Sequence, residues 1–385
     1  MLRYTHRLLA IGLAIVLSGS LARAQQPNPP KVIIDTDFNT MGDDGQVAVM
    51  AAQLYSKGAI DLLGFTIASG NQWRDQEVSD CLKAMERLGI EHRVKVYVGS
   101  QYPLLHNYQS YLYEQHLFGQ PIDYVGAYAA PQPDPNQLVP PPAHTKAARE
   151  DAVDFIIRTI HRYPHQVSFL EIAPPTNLAM AIRKDPTIVP LIKQIITMAG
   201  QMYVGGNAYL DNAEFNWWFD PEATQIVLRA PIPHYIIPLD CTNTLPLTKE
   251  VYLQITQHRP QTIVTQLYQQ AYAPFFGSGP PPYVPYIYDT TAFAFLVDPS
   301  LATDVRDLWV DIDTTFDPYY GKSTVYSSDP YPSTGLLQPS KVIFHLDDSK
   351  FYAFYVDLLT RPVPVTFDGE PVDEDTVVGG AVSFQ

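Results

Sequence analysis

Short apolar runs alternate along the chain with longer stretches whose apolar positions recur every three or four residues. The runs at residues 32–34, 62–68, 94–98, 167–172, 195–198 and 235–239 predict buried strands. The stretches at 46–54, 76–88, 146–163, 177–183 and 221–228 predict helices. Strands alternating with helices imply an α/β fold with an open, mostly parallel central sheet flanked by helices on both faces. In such sheets, ligands sit beyond the carboxyl ends of the strands. Residues 341–345 and 353–358 read as strand-like pieces of an accessory edge.

Two stretches break the alternation. Residues 103–144 and 269–288 are rich in Pro and Tyr and too long for plain connectors, which predicts long loops. Their tyrosines (Tyr108, Tyr111, Tyr113, Tyr124, Tyr128, Tyr272, Tyr283, Tyr286 and Tyr288) could stack on a planar ligand or simply pack the loops down. At the start, Arg3 and Arg7 precede an apolar run at 8–17 and a small-x-small site at Ala22-Arg23-Ala24. Residues 1–24 therefore read as a signal peptide, with 25–385 a single domain, secreted or periplasmic. The apolar run falls short of the ~20 residues that a span needs, and no membrane span is expected in the mature protein.

A formal charge of −15 argues against nucleic acid as a partner, because its phosphates would be repelled. The same charge suits a protein that captures a hard cation. Cys81 and Cys241 are too few for a disulfide scaffold, and either pairing or two free thiols fits the spacing.

The chemistry concentrates in VIIDTDFNTMGDDGQ, residues 32–46, where four aspartates follow an apolar strand. Carboxylates this close repel one another unless a cation or a proton holds them. Oxygen-only donors suit Ca²⁺ or Mg²⁺ rather than zinc. One loop rarely completes such a shell, so Ile172, Glu214, Asp240 and Asp289, at other strand ends, are candidates for the remainder. A strand followed by DxD also opens the phosphatases that form an aspartyl-phosphate. Here Thr40 falls one place late for hhhhDxDxT/V, and the return to Asp43-Asp44 is foreign to that motif.

The DTD, a turn and then DD resembles the nucleoside hydrolases of the inosine–uridine-preferring superfamily, whose common form is DTDPGxDDAxA. This chain has two more residues in the turn. Further blocks follow in the family's order: SGNQ (69–72), IAPPTNLAMAI (172–182), TMAG (197–200), GGNAYLDNAEFNWWFDPEATQIVL (205–228), PLDCTNTLPLT (238–248) and YDTTAFAFLVDP (288–299). Together they run from Lys31 to about Pro299. The resemblance implies a Rossmann-like core and Ca²⁺-dependent hydrolysis of the N-glycosidic bond of a ribonucleoside, with a small-molecule nucleoside as partner.

By that resemblance, Asp37, Asp44, the Ile172 carbonyl and Asp289 hold Ca²⁺, and Asp43 is the general base for the attacking water. Glu214 and Asn216 would hold ribose hydroxyls, Asn207 the 5′-hydroxyl, and Asn71 the sugar. Met198 would line the pocket, while Asp35 orders the loop. Asn212 competes with Asn207 for the 5′-hydroxyl because of an insertion before Glu214.

Tyr288 stands where many members carry a His that protonates the leaving base. His106, His116 and His144 are open substitutes for that donor. Purine-preferring relatives place an aromatic there, so Tyr288, with Trp217, Trp218 and the loop tyrosines, tilts the expectation toward purine nucleosides. The rivals are a non-catalytic nucleoside- or ribose-binding protein on the same scaffold, and a hydrolase of another ribosyl compound. Asp43 separates the first, since a binder needs no base. A homo-oligomer, dimer or tetramer, is left open.

Overall fold

The buried apolar runs become strands of one sheet. The structure, a computed structural model, describes residues 29–121, 124–138, 144–277, 284–363 and 365. Its strands are β1 (Lys31–Thr36), β2 (Asp61–Ile67), β3 (Val96–Val98), β4 (Val167–Ile172), β5 (Gln194–Met198), β6 (His234–Ile237), β7 (Ala302–Ile312), β8 (Ser323–Tyr326) and β9 (Pro339–Leu346). The helices are α1 (Asp43–Ser56), α2 (Arg74–Leu88), α3 (Tyr108–Phe118), α4 (Ala152–Arg162), α5 (Thr176–Lys184) and α6 (Phe215–Phe219). They continue with α7 (Pro221–Leu228), α8 (Leu239–Thr242), α9 (Lys249–Thr256), α10 (Ile263–Phe276), α11 (Asp289–Val297) and α12 (Asp348–Thr360).

The sheet runs β3-β2-β1-β4-β5-β6-β9-β7-β8. Pairings from β3 across to β9 are parallel, while β7 is antiparallel to both β9 and β8. Strand order reverses between β1 and β4, so the crevice beyond their carboxyl ends is the place where this topology admits a ligand. Thr36 pairs with Ile172 at that point. Alternation along β1 sends Ile34 into a core with α1, α2 and α11, and Ile33 into a second core under α4 and α5. The mostly parallel open sheet flanked by helices agrees with the sequence.

Several elements differ from expectation. Residues 353–358 lie inside α12 rather than in a strand. Phe351, Tyr355, Leu358 and Leu359 are its buried apolar positions, and that spacing is helical. The excursion at 103–144 holds α3, whose start is fixed by a capping box between Asn107 and Ser110. That at 269–288 opens as the end of α10, with Pro274 inside the helix. The long antiparallel β7 was not predicted, since its outer half is polar and exposed. Both cysteines are free and buried. No helix among the described residues is long and apolar enough to cross a membrane. Residues 1–24, read as a leader, lie outside the described residues.

Candidate active site

The carboxyl end of β1 delivers Asp37, and the turn after it starts α1 at Asp43 with Asp44 beside it. The turn is tight: a Cβ at Gly42 would lie 1.9 Å from the Asn39 amide oxygen, so a larger residue would displace the Asn39 side chain. Helix α1 packs against α11, whose first residue is Asp289. Carboxylate oxygens of Asp43, Asp44 and Asp289 thereby lie within 4.8 Å of one another. The residue read as the base thus stands among those read as ligands.

Asp44 is held from three directions. Thr36 Oγ1 donates to its Oδ1 at 2.5 Å, and Asn39 Nδ2 and Asn71 Nδ2 donate to its Oδ2 at 3.2 and 2.8 Å. Asp37 accepts from the Asn71 backbone N–H at 2.8 Å, and its own carbonyl accepts from Asn71 Nδ2 at 2.9 Å. Gly70 permits this approach, because a Cβ there would fall 2.1 Å from Asp37 Oδ2. Asn71 is thus a brace for the cluster as well as a sugar candidate.

Burial pushes Asp37, Asp44 and Asp289 well above the ordinary carboxylate range, and their mutual repulsion adds to it. Burial also raises Asp43, against hydrogen bonds that include Asn39 and Asp289. Two carboxyls within hydrogen-bond reach must share a proton or face a cation. With oxygen donors alone, buried and converging, the residues fit a hard divalent ion. Ile172 closes β4 beside Thr36, in register with the cluster's strand.

Around the cluster lie the other predicted residues. Glu214 caps α6 and accepts backbone N–H groups from Gly200 (2.9 Å), Asn216 (2.9 Å) and Trp217 (3.2 Å). Burial nevertheless raises its pKa to about 7. Its charge adds to the upward shifts of Asp37 and Asp289. Asn216 Nδ2 donates to the Met198 carbonyl at 3.0 Å, while the Met198 side chain is buried in the core beside β4 and β6. Asn207 Oδ1 accepts from the Phe215 N–H at 2.9 Å, which aims the side chain. Its competitor Asn212 donates to the Pro318 carbonyl instead. Tyr288 is the N-cap residue of α11, half-buried and next to Asp289.

Some expectations fail on burial. Trp217 and Trp218 are each 1% exposed, one in the core beside β7 and β9 and the other in an aromatic cluster, so neither offers a stacking face. His106 is also buried. Its Nδ1 lies 3.3 Å from the Phe219 carbonyl and its Nε2 3.3 Å from Glu114, with Tyr128, Trp218 and Tyr320 edge-on around the ring. It props the first excursion and does not face the cluster. Asp240 caps the backbone N–H groups of Met202 and Tyr203 and plays no part here.

Two residues were missed. Glu77, fully buried, accepts from the N–H groups of Gly70 (3.2 Å) and Gln72 (2.7 Å) and so fixes the turn that carries Asn71. In sequence it resembles an ordinary acidic residue in the first turn of a helix. Gln46 joins Tyr272 and Tyr355 by hydrogen bonds of 2.7 and 2.5 Å, tying α1 to α10 and α12. A polar residue at an apolar position of α1 was the available clue.

Comparison with known proteins identifies the family and the fold. The family described as inosine-uridine preferring nucleoside hydrolase matches residues 32–353. The pyrimidine-specific ribonucleoside hydrolase RihB of Escherichia coli O1:K1 is 28% identical over 304 residues, covering 76% of this chain and 86% of that protein. A purine-preferring ribonucleoside hydrolase from Gardnerella vaginalis superposes with a TM-score of 0.65 at 25% identity, covering 86% of this chain and 98% of that one. A plant nucleoside hydrolase shares the fold with a TM-score of 0.69 at 24% identity, over 87% of this chain and 100% of the other.

Proposed function

The chain belongs to the inosine-uridine preferring nucleoside hydrolase family, and from that premise we propose a Ca²⁺-dependent N-ribohydrolase that prefers purine ribonucleosides. The observation that carries the proposal is the convergence of Asp43, Asp44 and Asp289 from α1 and α11. When bound, a hard cation would orient the attacking water, lower its pKa and grip ribose hydroxyls. Asp37, Asp44, Asp289 and the Ile172 carbonyl would hold it.

The remaining chemistry falls to the chain's own groups. Asp43 takes the proton from the attacking water, and burial, which raises its pKa, favours its accepting that proton. Glu214 and Asn216 receive the ribose hydroxyls, with Asn207 toward the 5′ end and Asn71 beside them. Three backbone donors fix the Glu214 carboxylate before substrate arrives, so little reorganisation accompanies binding. As the glycosidic bond breaks, its electron pair leaves with the base, which takes up a proton from water, and the buried carboxylates stabilise the positive charge that grows on the ribosyl ring.

The purine preference is supported by Tyr288, an aromatic placed directly before Asp289 with Tyr286 against it. Export is part of the proposal, on the strength of the leader-like residues 1–24. Mass spectrometry of the protein recovered outside the cytoplasm should show them removed.

The deciding experiment measures base release from inosine, guanosine, adenosine, uridine and cytidine, with and without a chelator. Purines should be cleaved fastest and chelation should abolish turnover. Faster uridine cleavage would overturn the preference, and chelator-insensitive turnover the metal. Asp43→Ala should lose about a thousandfold in kcat while still binding Ca²⁺. Near-normal turnover in that variant would remove Asp43 from the base role.

A further inference from the structure

We propose that Tyr124 is a positioning residue, which sets the orientation of the Asn71 amide and through it the carboxylates of Asp44 and Asp37. The inference rests on the reading of those carboxylates as cation ligands.

Tyr124 differs from the other tyrosines of its excursion. Tyr111 and Tyr128 are buried in the aromatic cluster, and Tyr113 stacks on Phe316 at the surface. The Tyr124 ring is half-exposed, at 49%, and lies 4.8 Å from Phe215, between Glu214 and Asn216 in the chain. Its backbone N–H points to the Asn207 carbonyl at 3.4 Å. Its hydroxyl donates to Asn71 Oδ1 at 2.9 Å. One residue therefore touches the neighbourhoods of four candidate sugar contacts.

The Asn71 amide has a single satisfying orientation. Its two Nδ2 hydrogens serve the Asp37 carbonyl and Asp44 Oδ2. A flipped amide would set Oδ1 against two acceptors, one of them a carboxylate. With Nδ2 committed, Oδ1 needs a donor from outside the cluster, and the Tyr124 hydroxyl supplies it. A phenol keeps its proton at neutral pH, so the Tyr124 hydroxyl stays a donor. Without the hydroxyl, Oδ1 turns toward water and Asp44 Oδ2 loses a partner.

Tyr124→Phe keeps the ring on Phe215 and removes only the donor. Calorimetric Ca²⁺ titration should show affinity weakened about five- to tenfold, the scale of one hydrogen bond. Turnover should fall at limiting Ca²⁺ and return to within about twofold at saturating Ca²⁺ and nucleoside. A purely structural defect would lower the melting temperature of the metal-free protein, which Tyr124→Phe should leave unchanged. Asn71→Ala should weaken Ca²⁺ binding too, and Tyr124→Phe added to it should cost nothing more. Wild-type affinity in Tyr124→Phe, or an equal cost in both backgrounds, would overturn the link. A wild-type protein that binds no Ca²⁺ would overturn the metal reading and this inference together.

Discussion

Two groups of buried carboxylates flank the carboxyl end of β1, and they are resolved in different ways. On the side of α1 and α11, Asp43, Asp44 and Asp289 converge on a shared space. On the side of α5, Asp35 and Glu171 face each other across the paired strands, in register between Thr66 and Thr197. Thr66 and Asn177 donate to Asp35, and Thr197 donates to Glu171, yet Asp35 Oδ2 and Glu171 Oε1 lack a partner among the described residues. Burial pushes Asp35 to about 7 and Glu171 to about 8. The second pair is suited to carrying a proton, the first to carrying a cation. Repulsion is common to both sides. What separates them is their place: Asp35 and Glu171 lie buried within paired strands, whereas the first group lies beyond the strand ends, with Asp43 only half-buried.

The sharpest test of this contrast is Asp289→Ala. It should abolish turnover and weaken Ca²⁺ binding at least a hundredfold by calorimetry, as loss of a charged ligand from an oxygen site demands. Its melting temperature without metal should hold or rise, because a buried like charge has gone. A metal-free protein that instead unfolds would make Asp289 a structural residue. Next in size is the cation's own effect. Saturating Ca²⁺, at about 100 times Kd, should add about 3 kcal/mol of stability at pH 8. Less should appear at pH 5, where protons occupy the raised carboxylates and compete. Equal stabilisation at both pH values would deny the competition.

The proton side should respond in the opposite sense. A carboxyl whose pKa is raised by folding binds its proton more tightly in the native state. Stability from Glu171 is therefore complete below its unfolded pKa near 4 and declines as pH rises toward about 8. Glu171→Gln should thus melt higher than the parent at pH 8 and alike at pH 5, with turnover within about threefold. The smallest effect separates two asparagines. Asn207→Ala should raise nucleoside KM about tenfold, the scale of a lost hydrogen bond to substrate, whereas Asn212→Ala should change it less than about twofold. The reverse order would move the 5′-hydroxyl contact to Asn212.

Much of this was legible in the chain. The apolar runs that form β1, β2 and β4 to β6 are nearly continuous, because a parallel sheet buries both faces, and their positions come out within a few residues. The aspartates were visible because four in ten residues cannot be accommodated without a counter-ion or a proton. Burial was the harder property. Trp217, Trp218 and His106 carry side chains that serve equally in a ligand wall or in a core, and only the packing around α6 decides. Residues 353–358 misled for a related reason: six residues, mostly apolar, do not by themselves distinguish a strand from one turn and a half of helix. Tyr124 acts through Asn71, 53 residues away, while Glu77 acts through the N–H groups of a neighbouring turn whose shape its own residue pattern does not mark.

Asp43 opens α1 and Asp289 opens α11, so they meet only when strands β2 to β6 have been laid between them. A ribosome must deliver β1 to β6 before the last carboxylate emerges. Closing so long a loop places cation capture late in folding rather than at its nucleus. A fluorescent lanthanide reporter should therefore stay dark through most of refolding and light only as α11 docks on α1.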